Sequence, residues 1–497
     1  MERLVLSGSN NQLLSDFYMI IFARMDINCS DRELEILQKV ADAAQALDLP
    51  SYLIGGFVRD KLLNRNTKDA DIVCAGDGMQ LAEEVARKFS PRPKISFFKT
   101  YGTAHIRTHD EFDLEFVSAR KESYKTTSRN PEVSPGTIED DQNRRDFTIN
   151  ALAISLNKED FGKLVDPFNG LDDLKQKLIR TPTDPDVTFS DDPLRMMRAV
   201  RFATQLNFHI YPETLRSIKR NSERIKIVSR ERIIEELNKI ILTSKPSIGF
   251  KYLYDADLLR HFFPQMIDLA GAEFIEGKGH KDNFYHTLQV LDNVAERSGD
   301  LWLRWAAILH DIGKPATKRF EDGPGWTFHG HEVVGGRMVP RIFDQLKLPL
   351  GEPMKFVKKM VELHLRPISL TKEDITDSAI RRLLFDAGDA FEDLMILCES
   401  DITSKNRYKV KRYLENFEAV KQRCEEVEGK DAIRNWQPPI TGEIIMETFG
   451  IPPSKPVGDI KDAIKNAILD GLIPNNYDDA FQFMIEKARE LNLRPVN

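Results

Sequence analysis

The pattern of apolar and polar residues divides the chain into a short mixed part and a long helical part. Apolar residues recur at helical spacing over 30–48, where Ser30 and Glu33 have the spacing of a helix-capping box. Between residue 50 and about 157, short runs of β-branched and aromatic residues predict strands. Helical periodicity then continues to the end. We therefore predict a small mixed α/β head followed by an all-helical body.

Four runs in this head have the composition of strands: SYLIGG, DADIVCAG, TAHIRTH and FDLEFVS. The polar residues His109, Asp110 and Glu111 separate the last two runs, which predicts a hairpin at that point. Near the other end of the chain, a proline-rich turn precedes a predicted helix at 457–469.

Length and composition are those of a multidomain globular protein. The chain has 497 residues, enough for roughly three domains, with 41% hydrophobic and 30% charged residues. No run of 18 apolar residues predicts a membrane helix, and the apolar stretch 13–23 lacks the basic start of a signal peptide. Cys29, Cys74, Cys398 and Cys424 are far apart in sequence, so we expect reduced thiols in a cytoplasmic protein.

Net charge limits how a nucleic acid can bind. Lys+Arg 71 against Asp+Glu 78 gives a net charge of −7, which excludes a uniformly basic surface. Basic residues instead concentrate in two segments, 216–239 and 405–424. Each segment is either a solvated helix face or a local docking site for a phosphate backbone.

Candidate chemistry concentrates in the head, where two glycines end a predicted strand. Gly55 and Gly56 lead into a predicted helix, so backbone N–H groups can approach a triphosphate there, and Arg59 follows about one turn later. Asp69 and Asp71 lie at i and i+2 of a predicted strand, so both carboxylates project from one face, roughly 6.5–7 Å apart. That spacing suits a pair of divalent cations in a phosphoryl-transfer site.

A third carboxylate is expected on a neighbouring strand, because two cations need more oxygen ligands than two aspartates supply. Segment 112–116 offers Asp113 and Glu115, again on one face. We favour Glu115 and keep Asp113 as the alternative. The competing interpretation, two aspartates at a sheet edge, does not explain the adjoining glycines.

These residues form part of an ordered set of motifs. Gly55-Gly56, Arg59-Asp60 and Asp69-x-Asp71 are followed by RRDFTINA at 144–151 and by DDPLRMMRAVRF at 191–202. The set, over about residues 50–240, resembles the class II tRNA nucleotidyltransferase family, which comprises CCA-adding enzymes and bacterial poly(A) polymerases. This chain departs from the family pattern at Asp191, where Glu is usual, and at Pro193, where Ala is usual.

The resemblance implies template-independent addition or repair of the 3′-terminal CCA of tRNA from CTP and ATP, with no DNA or membrane partner. It implies Mg²⁺ ligation by Asp69 and Asp71, with Glu115 completing the catalytic set. The residues implied or expected to contact the nucleotide are Gly55, Gly56, Arg59, Arg145, Asp192, Arg195 and Arg198. A poly(A) polymerase, or an enzyme that adds only A or only CC, is the alternative within the family.

Asp192 and Arg195 have the right chemistry to select the base. A carboxylate accepts from an exocyclic amino group, and a guanidinium donates to a ring nitrogen. Cytosine and adenine both offer that donor and acceptor, whereas uracil and guanine reverse them and leave buried polar groups unpaired, at about 1–3 kcal/mol each. The competing interpretation is an ion pair at i and i+3 on a helix surface.

Six of the ten histidines fall between residues 280 and 364. His310-Asp311 ends a helix predicted at 302–311, and imidazole and carboxylate ligands from separate helices suit a transition metal such as Ni, Mn, Co or Fe. The series resembles the HD phosphohydrolase superfamily. By that resemblance His286, His310, Asp311 and Asp401 are the metal ligands, and His331 and His364 are available to a second metal. Lys314 is a candidate contact for a substrate phosphate.

The HD resemblance leaves two alternatives open. The HD body is either an accessory phosphohydrolase or the main activity of the chain, and a degenerate, purely structural HD core is the competing interpretation.

The expected domains are an N-terminal extension (1–24), a nucleotidyltransferase head (25–157), a helical neck for nucleobase and RNA (158–265), an HD domain (266–405) and a helical tail that binds tRNA (406–497).

Overall fold

The computed structural model describes residues 25–98, 102–123, 132–275, 278–279, 281–370, 376–403, 406–431 and 436–496. The expected N-terminal extension and Lys405 of the second basic segment lie outside the described residues. Two compact units make up the fold: unit 1 is Met1–Ile240 with Lys251–Phe262, and unit 2 is Ile241–Phe250 with Phe263–Asn497. No helix in the described ranges combines the length and apolar composition needed to cross a bilayer.

The elements up to residue 262 include eleven strands and eleven helices among the described residues. The strands are β1 Ser51–Ile54, β2 Asp69–Cys74, β3 Ile95–Phe98, β4 Thr103–Arg107, β5 Asp113–Ser118, β6 Arg120–Ser123, β7 Glu132–Pro135, β8 Ala153–Ser155, β9 Leu164–Val165, β10 Leu178–Ile179 and β11 His209–Ile210. The helices are α1 Asp31–Ala46, α2 Gly56–Leu62, α3 Gly78–Arg87, α4 Ile138–Asn143, α5 Gly170–Gln176, α6 Pro185–Asp191, α7 Leu194–Leu206, α8 Pro212–Asn221, α9 Arg230–Ile241, α10 Ser247–Asp255 and α11 Leu259–Phe262.

The remaining described elements are mainly helical. The short strands are β12 Phe274–Ile275, β13 Lys278–Gly279, β14 Arg319–Glu321 and β15 Gly325–Thr327. The helices are α12 Pro264–Asp268, α13 Asn283–Ala295, α14 Leu301–Leu309, α15 Lys314–Thr317, α16 His331–Leu346, α17 Glu352–Leu363, α18 Arg366–Ser369, α19 Asp377–Ala387, α20 Phe391–Ser400, α21 Arg407–Asp431, α22 Gly442–Phe449, α23 Lys455–Leu469 and α24 Tyr477–Glu490. The predicted division into a mixed head and a helical body is confirmed.

A seven-stranded sheet in the order β3-β4-β5-β2-β1-β8-β9 forms the centre of unit 1. Only β2 and β5 pair in parallel, and the predicted hairpin of β4 and β5 is antiparallel. One sheet face packs on α1, α2 and α3 through apolar residues such as Leu53, Ile72 and Leu114. The opposite face is covered by a much smaller apolar cluster, which leaves room for polar side chains there.

The local signals that begin α1 act as the sequence predicts. The Ser30 side chain accepts from the Glu33 backbone N–H, and the Glu33 carboxylate accepts from the Ser30 N–H at 2.7 Å. The two bonds satisfy donors that a helix N-terminus otherwise leaves open. The capping box therefore fixes the start of the helix that covers the sheet.

Unit 2 contains two separate apolar assemblies. Helices α13, α14, α16, α17 and α20 pack on one another and bring the ends of several helices together. Helices α22, α23 and α24 share their own core, which includes Ile445, Ile464 and Met484. The helix predicted at 457–469 is present as α23, and it begins two residues earlier at Lys455.

Candidate functional site

Four carboxylates occupy one face of the unit 1 sheet. Asp69 pairs with Asp113 and Asp71 pairs with Glu115 in the parallel register of β2 and β5. Because residues at i and i+2 of a strand share a face, the four acids lie on the side opposite the main core. The register therefore brings the predicted aspartates together with both candidates for the third carboxylate.

The surroundings of the two candidates differ. Oδ1 of Asp113 lies 2.9 Å from Nε2 of His105 on the neighbouring strand, so an imidazole is directly beside this carboxylate. Glu115 is directly paired with Asp71 in register and is exposed. This difference favours Glu115 as the third ligand, in agreement with the preference from sequence.

Burial and like charge act together on Asp71. Burial raises its pKa, Arg145 lowers it, and the charges of Glu115 and Asp69 raise it further, to about 6. A cluster of carboxylates that disfavours its own ionisation is a suitable site for a divalent cation, because the cation removes the repulsion. The oxygen-only donor set of Asp69, Asp71 and Glu115 fits Mg²⁺.

Gly55 is located directly against this acidic face. Its φ is +84°, a conformation that glycine adopts without strain, and it precedes the first turn of α2. A Cβ at this position would lie 3.0 Å from Nη1 of Arg145 and 3.3 Å from Oδ2 of Asp71. The glycine turn, one carboxylate of the acidic face and Arg145 are therefore immediate neighbours.

Arg59 is held inside unit 1 rather than projecting from it. The residue is 6% exposed; its Nη1 donates to Asn150 Oδ1 at 2.7 Å, and its Nε donates to Asp60 Oδ1 at 2.9 Å. The guanidinium also lies 5.0 Å from the centre of the Phe202 ring. These contacts fix the start of α2, and the direct contact of Arg59 with a triphosphate stays a prediction.

A polar cavity of about 280 Å³ lies within unit 1. Its lining is dominated by arginines and acids: Arg144, Arg145, Asp146, Asp192, Leu194, Arg195, Arg198 and Arg232. Apart from Arg59, every non-glycine residue that the motifs assigned to the nucleotide is present in this lining: Arg145, Asp192, Arg195 and Arg198. Five guanidinium groups around one cavity are a suitable environment for an anionic ligand such as a nucleotide.

Asp192 and Arg195 are at the start of α7, on the rim of this cavity. Asp192 has an extended backbone, and its Oδ1 accepts from the Leu194 N–H at 3.2 Å. Nη2 of Arg195 donates to the Arg144 carbonyl at 2.6 Å, which fixes the direction of the guanidinium. The carboxylate and the guanidinium thus lie in one lining, as base selection requires; their contact with a base remains a prediction.

Two buried acids that orient the cavity arginines were missed by sequence reasoning. The fully buried Asp141 accepts from Arg144 and, at 3.0 Å, from Nε of Arg145. Asp146 accepts from Nε of Arg198 at 2.7 Å. The acid-to-arginine spacings of three and four residues in α4 were the available signal for Asp141, whereas no local signal connects residues 146 and 198.

Four histidines of unit 2 are oriented by bonds at Nδ1. Nδ1 lies 2.8 Å from the Ala307 carbonyl in His310, 2.8 Å from the Phe328 carbonyl in His331 and 2.7 Å from the Val361 carbonyl in His364. In His286 it lies 2.9 Å from Oγ1 of Thr403. A carbonyl partner requires a proton on Nδ1, so Nε2 is left as the metal-binding nitrogen.

The Nε2 atoms converge on two aspartates. His286 Nε2 lies 2.9 Å from Asp401 Oδ1, His310 Nε2 lies 3.2 Å from Asp311 Oδ2, and His331 Nε2 lies 3.2 Å from Asp311 Oδ1. Two groups of potential metal ligands result: His286, His310 and Asp401, and then Asp311, His331 and His364. All six residues that the motif order selected are brought together.

The charges of these six histidines and aspartates fit one or two bound cations. Burial opposes the charge on His310, but Asp311 and Asp401 outweigh it and raise the pKa of His310 to about 10. Burial lowers the pKa of His364 to about 4, so this imidazole is neutral and can act as a ligand. A divalent cation can replace the proton of His310, because the same two carboxylates would compensate its charge.

The neighbouring turn differs slightly from the prediction. The helix expected to continue through Asp311 ends at Leu309, because His310 and Asp311 form a turn in which the Ile312 N–H donates to Leu309 O at 3.1 Å. This turn points the His310 and Asp311 side chains into the same cluster. Lys314 donates to Asp311 Oδ2 and is therefore beside the centre, while its contact with a phosphate stays a prediction.

Three known families match successive parts of the chain. Residues 51–180 match the family described as the poly A polymerase head domain, and residues 207–269 match a probable RNA- and SrmB-binding site of polymerase A. Residues 283–394 match the HD domain. The acidic face lies in the first of these segments, and the four oriented histidines lie in the third. Asp401 lies just beyond the third segment.

Similar proteins extend these matches over most of the chain. An A-adding tRNA nucleotidyltransferase from Aquifex aeolicus (strain VF5) is 31% identical over 391 residues, which is 76% of this chain and 42% of the relative. The chain thus spans less than half the length of that relative. A tRNA nucleotidyltransferase solved with a primer tRNA and an ATP analogue has 27% identity and a TM-score of 0.54, over 77% of this chain and 99% of that one.

A solved CCA-adding enzyme shares the fold over a longer range. It has 22% identity and a TM-score of 0.60, and the match covers 93% of this chain and 95% of that one. A Thermotoga maritima CCA-adding enzyme solved with tRNA has 21% identity and a TM-score of 0.58, over 93% of this chain and 96% of that one. The fold over the matched 93% of the chain is therefore that of these enzymes.

Proposed function

We propose that this chain, whose head belongs to the poly A polymerase head-domain family and whose body belongs to the HD domain family, adds nucleotides to the 3′ end of tRNA without a template. The observation that carries the proposal is the position of Gly55 between Asp71 and Arg145, which connects an acidic face to an arginine-lined cavity. The relatives named as tRNA nucleotidyltransferases support tRNA as the substrate. For a reaction on tRNA with CTP and ATP, we propose a cytoplasmic location.

The proposed division of labour follows the geometry. Asp69, Asp71 and Glu115 would bind Mg²⁺, which supplies positive charge near the attacking 3′-hydroxyl and the α-phosphate. The cavity arginines neutralise the triphosphate and keep it in place for in-line attack. The 3′-hydroxyl loses its proton to solvent as its oxygen forms a bond to the α-phosphorus. The bond from that phosphorus to the bridging oxygen of the β-phosphate breaks, and pyrophosphate leaves with the electron pair.

Base selection is proposed for Asp192 and Arg195. The carboxylate accepts from the exocyclic amino group of cytosine or adenine, and the guanidinium donates to the adjacent ring nitrogen. UTP and GTP would leave buried groups unpaired, at a cost of about 1–3 kcal/mol per group. We propose addition of both C and A, so that the complete CCA end is built.

The deciding experiment supplies CTP and ATP, separately and together, to a tRNA that lacks its CCA end. Complete CCA addition requires both nucleotides and stops after the terminal A. Asp71→Asn is expected to reduce incorporation at least 100-fold while circular dichroism stays unchanged, whereas the exposed Asp42→Asn serves as the matched control. Full activity of Asp71→Asn contradicts the assignment.

A second candidate within the family is addition of A alone. The similarity to an A-adding enzyme of Aquifex aeolicus favours it. In the same assay, such an enzyme ignores CTP and extends only a tRNA that already ends in CC. A poly(A) polymerase is distinguished by long A tails on RNA other than tRNA.

For the body we propose an accessory phosphohydrolase activity. It rests on the two groups of ligands around Asp311 and Asp401, which suit a divalent transition metal such as Ni, Mn, Co or Fe. A bound metal would activate water for attack on a phosphate ester, and Lys314, which donates to Asp311, would contact that phosphate. The chelated protein is expected to regain phosphatase activity on addition of metal, and His310→Ala is expected to abolish it. Equal activity in His310→Ala and in the exposed control His209→Ala contradicts the proposal.

A further inference from the structure

We infer that a groove between α13 and α21 binds single-stranded RNA and presents its 3′ end to the HD centre, an inference that rests on the proposed phosphohydrolase. The groove has a volume of about 810 Å³. Its walls include Gln289 and Asn293 of α13, Thr403, and Arg407, Lys411 and Leu414 of α21. It lies wholly within unit 2.

One groove residue touches a metal-site histidine directly. Thr403 lines the groove, and its Oγ1 lies 2.9 Å from Nδ1 of His286. On the other wall, Nδ2 of Asn293 donates to the Ser400 carbonyl at 2.8 Å, beside Asp401. The groove is therefore adjacent to the side of the centre formed by His286 and Asp401, one residue away from each.

That side also carries the most exposed of the six ligand side chains. The side chains of His286 and Asp401 are 10% and 18% exposed, whereas those of His310 and Asp311 are 0% and 2% exposed. His364 on the far side is 1% exposed. His331, in the other ligand group, is 9% exposed, so the most exposed of the six ligands is Asp401, on the groove side, and a substrate phosphate can reach the centre there.

The charges near the start of α21 match an RNA strand. Residues 406–413 contain Arg407, Lys409, Lys411 and Arg412 and no acid. Among the described residues, no ion pair involves Arg407 or Lys409, and Lys411 has only a long one of 3.7 Å to the exposed Glu415. Arg407 and Lys411 lie one helical turn apart, about 6 Å along the axis, so they can contact successive phosphates of one strand.

An unpartnered aromatic ring supports a single strand over a free phosphate. Tyr408 is 88% exposed, an unusual state for a tyrosine, and it follows Arg407 in the sequence, beside the groove lining rather than within it. Exposed aromatic rings among basic residues are the usual platform for stacking unpaired bases. Glu415 and Glu418 line the far end of the groove, so the cationic stretch is confined to the end near Thr403.

The test uses the full-length, metal-loaded chain and a fluorescein-labelled eight-nucleotide RNA with a 3′-phosphate. Hydrolysis consumes water and releases inorganic phosphate and a 3′-hydroxyl, and p-nitrophenyl phosphate is the small reference substrate. In Arg407→Glu/Lys411→Glu, the ratio of kcat/KM for RNA to kcat/KM for the reference is expected to fall at least 10-fold. Lys355→Glu, a charge reversal at another exposed position of unit 2, is the control and keeps the ratio within twofold.

Binding measured by fluorescence anisotropy separates this inference from the hydrolase proposal. The double variant is expected to weaken RNA binding at least 10-fold and to reduce the slope of log K against log salt by about 1.4, the value for two lost phosphate contacts. If RNA binds through the groove but is not hydrolysed, the phosphohydrolase proposal is contradicted and the groove inference is not. Two results overturn the groove. The first is an unchanged ratio of kcat/KM for RNA to kcat/KM for the reference in the double variant. The second is a double variant that binds poly-glutamate more weakly but binds RNA as tightly as the wild type.

Discussion

At the scale of single residues, Gly55 combines an unusual backbone with two charged neighbours. We predict that Gly55→Ala destabilises the protein by about 1–2 kcal/mol, because alanine at a φ of +84° is strained. The added Cβ also pushes on Arg145 and Asp71, so kcat/KM for ATP is expected to fall about 10-fold or more. Steady-state kinetics and urea unfolding measure the two effects.

Gly323→Ala is the matched control for that substitution. Gly323 has a φ of +95°, and a Cβ there would meet nothing within 4 Å. Its backbone strain is therefore similar, but no charged side chain is displaced. If both variants lose nucleotide incorporation equally, the contact of Gly55 with the acidic face has no part in activity.

Asp146 gives a pH-dependent prediction at the same scale. Burial opposes its ionisation, but Arg198, Asn150 and Arg195 outweigh burial and lower its pKa to about 2. Since the pKa of an unfolded aspartate is about 3.9, the ion pair stabilises the fold above pH 4 and is lost as the pH falls through 2. The difference in unfolding free energy between wild type and Asp146→Asn is therefore expected to shrink by about 2 kcal/mol from pH 5 to pH 2. A constant difference contradicts the ion pair.

At the scale of elements, five helices or their ends supply the HD ligands, so a bound metal connects them. We expect Mn²⁺ or Ni²⁺ to raise the melting temperature of the chelated protein, with about 2.7 kcal/mol of stabilisation when free metal is a hundredfold above Kd. His310→Ala is expected to abolish the shift, and the exposed His209→Ala to retain it. Differential scanning fluorimetry measures the shift, and an equal shift in both variants contradicts the ligand set.

The sequence predicted most of the elements and the residues on them, because the signals are local. The i and i+2 spacing places Asp69 with Asp71 and Asp113 with Glu115 on strand faces without knowledge of the fold. What brings these two pairs together is the parallel register of β2 and β5. That register depends on how α3, β3 and β4, which lie between the two strands in the sequence, pack in and on the sheet, and no local spacing encodes it.

Residues that act through others were harder to find. Asp141 and Thr403 matter because of the side chain that each one contacts, Arg145 and His286 respectively. Neither belongs to a recognisable run of chemistry-bearing residues. Sequence order did identify the HD histidines, but it could not show that each ring is oriented through Nδ1.

At the scale of the whole molecule, each of the two compact units has its own apolar core and its own candidate site. We predict two transitions in differential scanning calorimetry. ATP with Mg²⁺ is expected to raise the transition of unit 1, and Mn²⁺ that of unit 2, because each ligand binds one unit. Asp71→Asn should remove the first shift and retain the second. A single transition that both ligands raise contradicts independent stabilisation.

The parallel pairing of β2 and β5 also has a consequence for redesign. The four acids form a ladder of two rungs, Asp69 with Asp113 and Asp71 with Glu115, separated by one pleat repeat of about 6.5–7 Å. A variant that loses the carboxylates of Asp71 and Glu115 and gains equivalent ones beside Asp69 and Asp113 would keep the number of oxygen donors and the backbone. A cation bound there would nevertheless lie one pleat repeat away from Gly55 and Arg145. The position of the acids along the strands, and not their number, therefore determines whether a bound metal can contact the triphosphate.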